Sequence, residues 1–207
     1  MKKFVLILTG IILLVICVVS IWGYVHMRDR HSGYTMDLHI PAAEEGRALR
    51  VGFGKQPITP DISETWQDAN GDSRYDPEDG DTYIDRNDNG RFDAFWMAGF
   101  HNARPARGIH DDLWARALVI DDERTRIGLV VLDVIGFGHD YVLDTRERIM
   151  SEIPMDYVLI CSTHNHEAPD LIGLWGSGYL KSGVNPDYLE YVKNQTARAV
   201  IRAAEAM

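Results

Sequence analysis

Residues 4–22 run from Phe4 to Trp22 with only Thr9, Gly10 and Ser20 breaking an otherwise apolar sequence. About 20 such residues span the hydrocarbon of a bilayer as one helix. This run therefore restricts the rest of the chain to folding outside the membrane. A cleaved signal has a shorter apolar core and a small-residue cleavage site. Here the run ends Ser20-Ile21-Trp22-Gly23-Tyr24, with no Ala-x-Ala pattern. Leu14-Val15-Ile16-Cys17 imitates a lipobox, but bulky Ile16 stands where a small residue is expected. Residues 1–24 are thus read as a transmembrane anchor, with a signal sequence as the alternative. Lys2 and Lys3 favour a cytoplasmic N-terminus, against the pull of Arg28 and Arg30, while Trp22 and Tyr24 suit the outer interface. The expected location is membrane-anchored and extracytoplasmic.

Residues 25–48 read as a polar linker, and the folded part begins near Leu49. Leu49-Arg50-Val51-Gly52-Phe53-Gly54 alternates as a strand does, until Pro57 and Pro60 interrupt it. Trp114 to Ile120 reads as a strand, and Asp121 to Thr125 as a hairpin turn. The near-continuous apolar run from Ile127 to Val134 and the stretch from Tyr157 to Cys161 read as strands buried on both faces. Helical periodicity covers residues 141–153 and returns from Pro186, which suits a first helical turn. That order predicts an α/β fold, a mixed sheet with flanking helices, preceded by a single N-terminal transmembrane helix. The two cysteines, Cys17 and Cys161, lie in the anchor and in a strand, so no disulfide is expected. A net charge of −10 argues against nucleic acid as a partner. Oligomeric state is not legible.

The chemistry concentrates at Thr163-His164-Asn165-His166-Glu167-Ala168-Pro169-Asp170. In extended chain, residues two apart point to the same side, so the rings of His164 and His166 can converge. They follow a buried strand, whose carboxyl end is where α/β proteins place ligands. Neutral imidazole is a good zinc ligand. The plainer reading is a pair of surface histidines beside a turn. Asp133 ends the apolar run of the preceding strand, where a carboxylate needs a partner. If the two strands are neighbours, it can orient a ligating histidine; otherwise it caps the loop. Gly173-Leu174-Trp175-Gly176 and Gly178-Tyr179-Leu180 read either as a pocket lining or as core.

An acidic insert covers residues 61–96, and its segment 68–93 holds nine acids against three arginines, net −6. Asp68, Asn70, Asp72, Asp76 and Asp79 occupy positions 1, 3, 5, 9 and 12 of a calcium-loop spacing, with Ser73 in place of the usual Gly at position 6. Asp85, Asn87, Asn89 and Asp93 repeat positions 1, 3, 5 and 9 with Gly90 at 6, but Trp96 stands at 12. The expectation is a structural Ca²⁺, since without one the carboxylates repel each other; a solvated acidic loop is the alternative.

In order and spacing, several segments resemble the N-terminal part of the neutral/alkaline non-lysosomal ceramidases. They are Val51-Gly52-Phe53-Gly54-Lys55, Ile58-Thr59-Pro60, Gly108-Ile109-His110, Ala115-Arg116-Ala117, Asp133 and Thr163-His164-Asn165-His166. Asn165, Glu167 and Ala168 depart from that family's Thr-His-Thr-His-Ser-Gly-Pro pattern, and the acidic insert lies outside the resemblance. The resemblance implies Zn²⁺-dependent cleavage of the amide of N-acyl sphingosine or a related lipid amide. It implies His164 as the first zinc ligand and His166 as a neighbouring site histidine; His166 and Asp133 are the expected catalytic residues. His110 matches a histidine found in some members. The family's remaining ligands (a His, a Glu and a Tyr) and its serine would fall beyond Met207, so residues 49–207 are expected to be an incomplete ceramidase-like domain with little activity alone. A β-lactamase-like metal fold fits less well, because Ala168 and Pro169 stand where its pattern needs Asp and His. The competing function is a non-catalytic, calcium-stabilised extracytoplasmic binding module on an enzyme-like scaffold.

Overall fold

The structure, a computed structural model, describes residues 2–37 and 48–207. It divides into two units, Met1–His39 and Ile40–Met207. The first carries helix α1, Lys2–Met27, which is long and apolar enough to cross a membrane. Its 26 residues make a rod of about 39 Å, more than the ~30 Å hydrocarbon thickness. The helix outruns the expected anchor by three residues; His26 stacks on Trp22 and bonds its carbonyl oxygen, carrying the last turn onward. Part of the expected linker, residues 38–47, lies outside the described residues.

The second unit is built on a four-stranded mixed sheet in the order β1-β4-β5-β6. Its strands are β1 (Arg50–Pro57), β4 (Trp114–Asp121), β5 (Arg126–Leu132) and β6 (Tyr157–Ser162). β1 and β5 flank β4 antiparallel, while β6 runs parallel to β5. A parallel neighbour cannot be reached by a hairpin, so the chain crosses over through α2, His139–Glu152. Between β1 and β4 the acidic insert forms a two-stranded sheet of β2 (Trp66–Gln67) and β3 (Thr82–Tyr83). Helix α3, Pro186–Glu205, follows β6.

α3 starts where its sequence dictates. Asn185 accepts a hydrogen bond from the Tyr188 N–H, Pro186 fills the first turn and Asp187 complements the helix dipole. Its buried stripe of Leu189, Val192, Ala199, Val200 and Ala203 lies on one face of the sheet, against Ala115, Ala117, Val119, Val130 and Leu132. The approach is close enough to require glycine in β1: a Cβ on Gly54 would fall 2.2 Å from the Ala199 carbonyl oxygen. The Tyr191 hydroxyl and the Gln195 amide both donate to the Pro57 carbonyl, fixing the end of β1 to the helix. β1 therefore runs through Pro57, where the sequence predicts an interruption.

The opposite sheet face differs from expectation. Phe53, Leu118, Leu129 and Leu159 pair in register across all four strands as one apolar row. Phe53 is 72% exposed and Leu159 47%. β5 and β6 are thus buried on one face only, because no layer of the described residues covers the other.

Candidate functional site

β6 delivers the histidine loop to the end of β5. After Ser162 the ladder continues, with the Thr163 N–H donating to Leu132 and the Asn165 N–H to Val134. This brings His164 beside Ile135, whose carbonyl oxygen lies 2.8 Å from its Nδ1. A carbonyl oxygen can only accept, so Nδ1 is the donor, and in a neutral ring the lone pair then lies on Nε2, the arrangement found in metal-ligating histidines. The His166 ring stands 4.9 Å from the His164 ring, centroid to centroid, at 79°. His164 holds a left-handed backbone, φ 61°. Such strain in a non-glycine residue persists only where its surroundings impose it, commonly at functional sites.

The two faces of this loop look different ways. Asn165 and Glu167 line a cleft of about 420 Å³ together with Thr59, Met97, His110 and Asp133. His164 and His166 do not line it. His166 packs instead against Phe100, 5.2 Å between ring centroids, and against Gly99. A Cβ on Gly99 would lie 2.4 Å from His166 Nδ1, and Gly99 also has φ 82°, so only glycine serves there.

Asp133 does follow directly on β5, the strand beside β6, but it does not hold a histidine. Its Oδ2 accepts from the Trp114 N–H at 3.0 Å and from Arg116 Nη1 at 2.6 Å. The group that orients His164 is the Ile135 carbonyl. His110 is an exposed side chain paired with Asp111 at 2.7 Å.

Two residues that brace the loops around the histidines were given no role in the sequence reading. Arg104 donates from Nη2 to the carbonyls of His166 and Ala98, at 2.5 and 2.9 Å, and its guanidinium covers Phe100. It clamps the histidine loop to residues 98–100, and no local pattern in the sequence announces it. Asp170, fully buried, accepts from the N–H groups of Ile172, Gly173, Trp175 and Gly183. It shapes the segment 172–183; a buried Asp before a glycine-rich run was the available signal. Among the described residues, no three His, Cys, Asp or Glu side chains gather as a metal site.

The two acidic loops share one construction. At position 1, Asp68 accepts from the Gly71 and Ser73 N–H groups, and Asp85 from those of Asn89 and Gly90. At positions 3 and 5, Asn70 and Asp72 each accept from the N–H two residues on, as do Asn87 and Asn89. Positive φ falls at positions 4 and 6 of both: Gly71 and Ser73, then Asp88 and Gly90. A buried carboxylate braces each loop through the N–H groups of positions 2 and 9. Asp81 bonds Ala69 and Asp76; Glu64 bonds Arg86 and Asp93. The position-8 rings, Tyr75 and Phe92, meet at 4.8 Å. Ser73 therefore adopts the conformation usually left to Gly, and the departure at position 6 does not alter the turn.

Within the loops the carboxylates are already engaged. Partial desolvation would raise Asp68, but the Ser73 and Gly71 N–H groups and the Arg107 charge outweigh it and hold its pKa below the usual value. Asp76 caps the short helix Pro77–Asp79, and Asp79 accepts from the Asn70 amide. Asp93 accepts from the amides of Asn87 and Asn89, which lower its pKa. The insert also reaches the histidine loop: Ala98 N–H donates to Ala168 and Asp170 N–H to Trp96.

No protein-family model matches the sequence, and no curated protein does. Solved structures do match. A ceramidase complexed with C2 shares the fold at TM-score 0.53 and 21% identity, over 78% of this chain and 22% of that one. The neutral ceramidase from Pseudomonas aeruginosa matches at 0.52 and 20%, with the same coverage. The chain has the fold of part of a neutral ceramidase. The chain spans about a fifth of the length of those ceramidases.

Proposed function

We propose that the ceramidase-like unit supplies part of a zinc-dependent amide hydrolase site acting on N-acyl sphingosine or a related lipid amide. The observation that carries this reading is the His164–His166 pair at the end of β6, with Nδ1 of His164 anchored on Ile135 and Nε2 left to ligate. Two imidazoles fit one side of a zinc coordination sphere; a catalytic zinc usually has three protein ligands. A zinc ion held there would supply a Lewis acid and a bound water of lowered pKa, both suited to amide cleavage. The chain's own residues do the positioning. Ile135 selects the tautomer of His164, Arg104 fixes the loop through the His166 carbonyl, and Phe100 sets the pitch of the His166 ring.

Calorimetric zinc titration of the full chain in detergent tests the reading. Weak binding is expected, lost in both His164→Ala and His166→Ala, together with negligible hydrolysis of N-acyl sphingosine. Absence of zinc binding would remove the metal, and robust turnover would show that the two histidines are not an incomplete set.

The second reading, a calcium-stabilised extracytoplasmic binding module, is favoured by the repeated geometry of the acidic loops. Loop 2 brings Asn87, Asn89 and Asp93 together, the two Asn amides donating to the Asp93 carboxylate. Millimolar Ca²⁺ is expected to raise the melting temperature, and chelation to reverse it. An unchanged melting curve in both chelator and calcium would leave only a solvated acidic loop.

A further inference from the structure

Gly173–Gly176 and Gly178–Leu180 read from the sequence as a pocket lining or as core, yet their large side chains Leu174, Tyr179 and Leu180 are exposed. The base of the segment 172–183 is rigid, closed by the four N–H bonds to buried Asp170. Its tip projects Leu174, Tyr179 and Leu180 outward, at 63%, 83% and 102% exposure. The neighbouring loop is bonded to it, Ala103 N–H to the Gly176 carbonyl and Gly176 N–H to the Asn102 side chain. That loop presents Phe100 at 73%. Single exposed apolar residues are ordinary, but four large ones on two hydrogen-bonded loops form a patch. Phe100 and Leu180 both have left-handed backbones, φ 60° and 66°, a conformation that bulky residues avoid. The fold thus holds Leu174, Tyr179 and Leu180 out in water, and it keeps Phe100 and Leu180 exposed in a conformation that bulky residues avoid.

Charge identifies the occupant. In a chain with 31 acidic residues, residues 171–183 contain none, and one lysine, Lys181. A protruding tip of Leu, Phe and Tyr with a flanking Lys matches the bilayer interface. The aliphatic and phenyl groups enter the acyl boundary, while the phenol and ammonium stay at the headgroups. A protein partner would more naturally meet a groove or a flat face. The same chain carries α1, an apolar helix long enough to cross a membrane.

We propose that Phe100, Leu174, Tyr179 and Leu180 form a docking tip that enters the interface of the membrane spanned by α1. Phe100 touches His166, so docking sets the histidine pair at the depth of a lipid's amide linkage, a consequence that rests on the hydrolase reading above.

The test uses the full chain in phosphatidylcholine nanodiscs, with Cys17 and Cys161 replaced by Ser. An environment-sensitive fluorophore is attached at Leu180→Cys or, for comparison, at Arg91→Cys in the acidic insert. The label at 180 should be blue-shifted and quenched several-fold more by shallow lipid-borne quenchers than the label at 91. It should also be several-fold less accessible to aqueous iodide. Equal iodide access at both positions would overturn the proposal. Shielding of position 180 from iodide and lipid quenchers alike would also overturn it, by pointing to a protein contact. Neither readout involves zinc or hydrolysis, so this result stands or falls apart from the enzymatic one.

Discussion

Arg104 shows how much of the site depends on one side chain. Its Nη2 alone serves two carbonyl oxygens, on Ala98 and His166, while its contact with Glu167 is long and mostly exposed. The clamp is kept although Nε, itself buried, has no partner among the described residues. Arg104→Met would leave two inward carbonyls without a donor, a loss of about 1–3 kcal/mol. Arg104→Lys should recover little, because a point ammonium cannot reproduce the planar fork. Glu167→Gln should stay within about 0.5 kcal/mol, since surface pairs contribute little. Urea unfolding of the three variants checks this order, and zinc affinity should fall with stability in Arg104→Met. Equal stability of Arg104→Met and wild type would show that the histidine loop stands without the clamp.

At the level of elements, α2 and α3 are joined by an ionic cluster. Lys193, largely buried, meets Asp144 and Glu190, and Arg148 reaches the same two carboxylates. Hydrogen bonds from Lys193 and Arg148 lower the pKa of Asp144 and of Glu190. Burial pulls Lys193 down, but its bonds to the two carboxylates outweigh that and raise it. The carboxylates' contribution is therefore complete above their unfolded values of 3.8 and 4.5 and disappears as pH falls through the lower folded values. The lysine's contribution is complete below 10.5 and is lost as pH rises through its higher folded value. Lys193→Met should lower stability by about 1–2 kcal/mol at neutral pH, a figure reduced because both carboxylates are substantially exposed. The deficit should shrink toward about pH 3, as the carboxylates protonate. Chemical denaturation at both pH values decides it; a constant deficit would assign the effect to packing. The main sheet and its helices were legible because each element is fixed by local pattern: Pro186 in the first turn of α3, the alternation in β1, the apolar runs of β5 and β6. What stayed illegible came from distant chain. The Ile135 contact that orients His164 and the Arg104 clamp depend on residues 29 and 62 positions away. The tip at 179–180 misled for another reason, since apolar residues between glycines read the same whether they pack or protrude.

For the whole molecule, the open sheet face is the feature local reasoning could least foresee. A run such as Ile127 to Leu132 predicts cover on both sides, yet α3 and the core lie on one side only. The matched ceramidases contain this fold as 22% of a longer chain, and in this chain the row from Phe53 to Leu159 faces outward. A flat apolar row on a four-stranded sheet whose outer strands are β1 and β6 favours self-association of the folded unit. Phe53 offers the cleanest probe because its ring is mostly solvated, so removing it deletes little packing. Phe53→Ser should change unfolding free energy by less than about 0.5 kcal/mol, as expected of a surface position. It should also raise the concentration at which the detergent-solubilised chain begins to associate. Sedimentation velocity across a concentration series, with melting curves on the same samples, separates the two effects. If the variant melts lower by more than about 5 °C, the ring is packed against something and the face is not open. If melting and association both match wild type, the row is open but does not drive assembly, and the exposed tip at Tyr179 and Leu180 becomes the apolar surface to probe next.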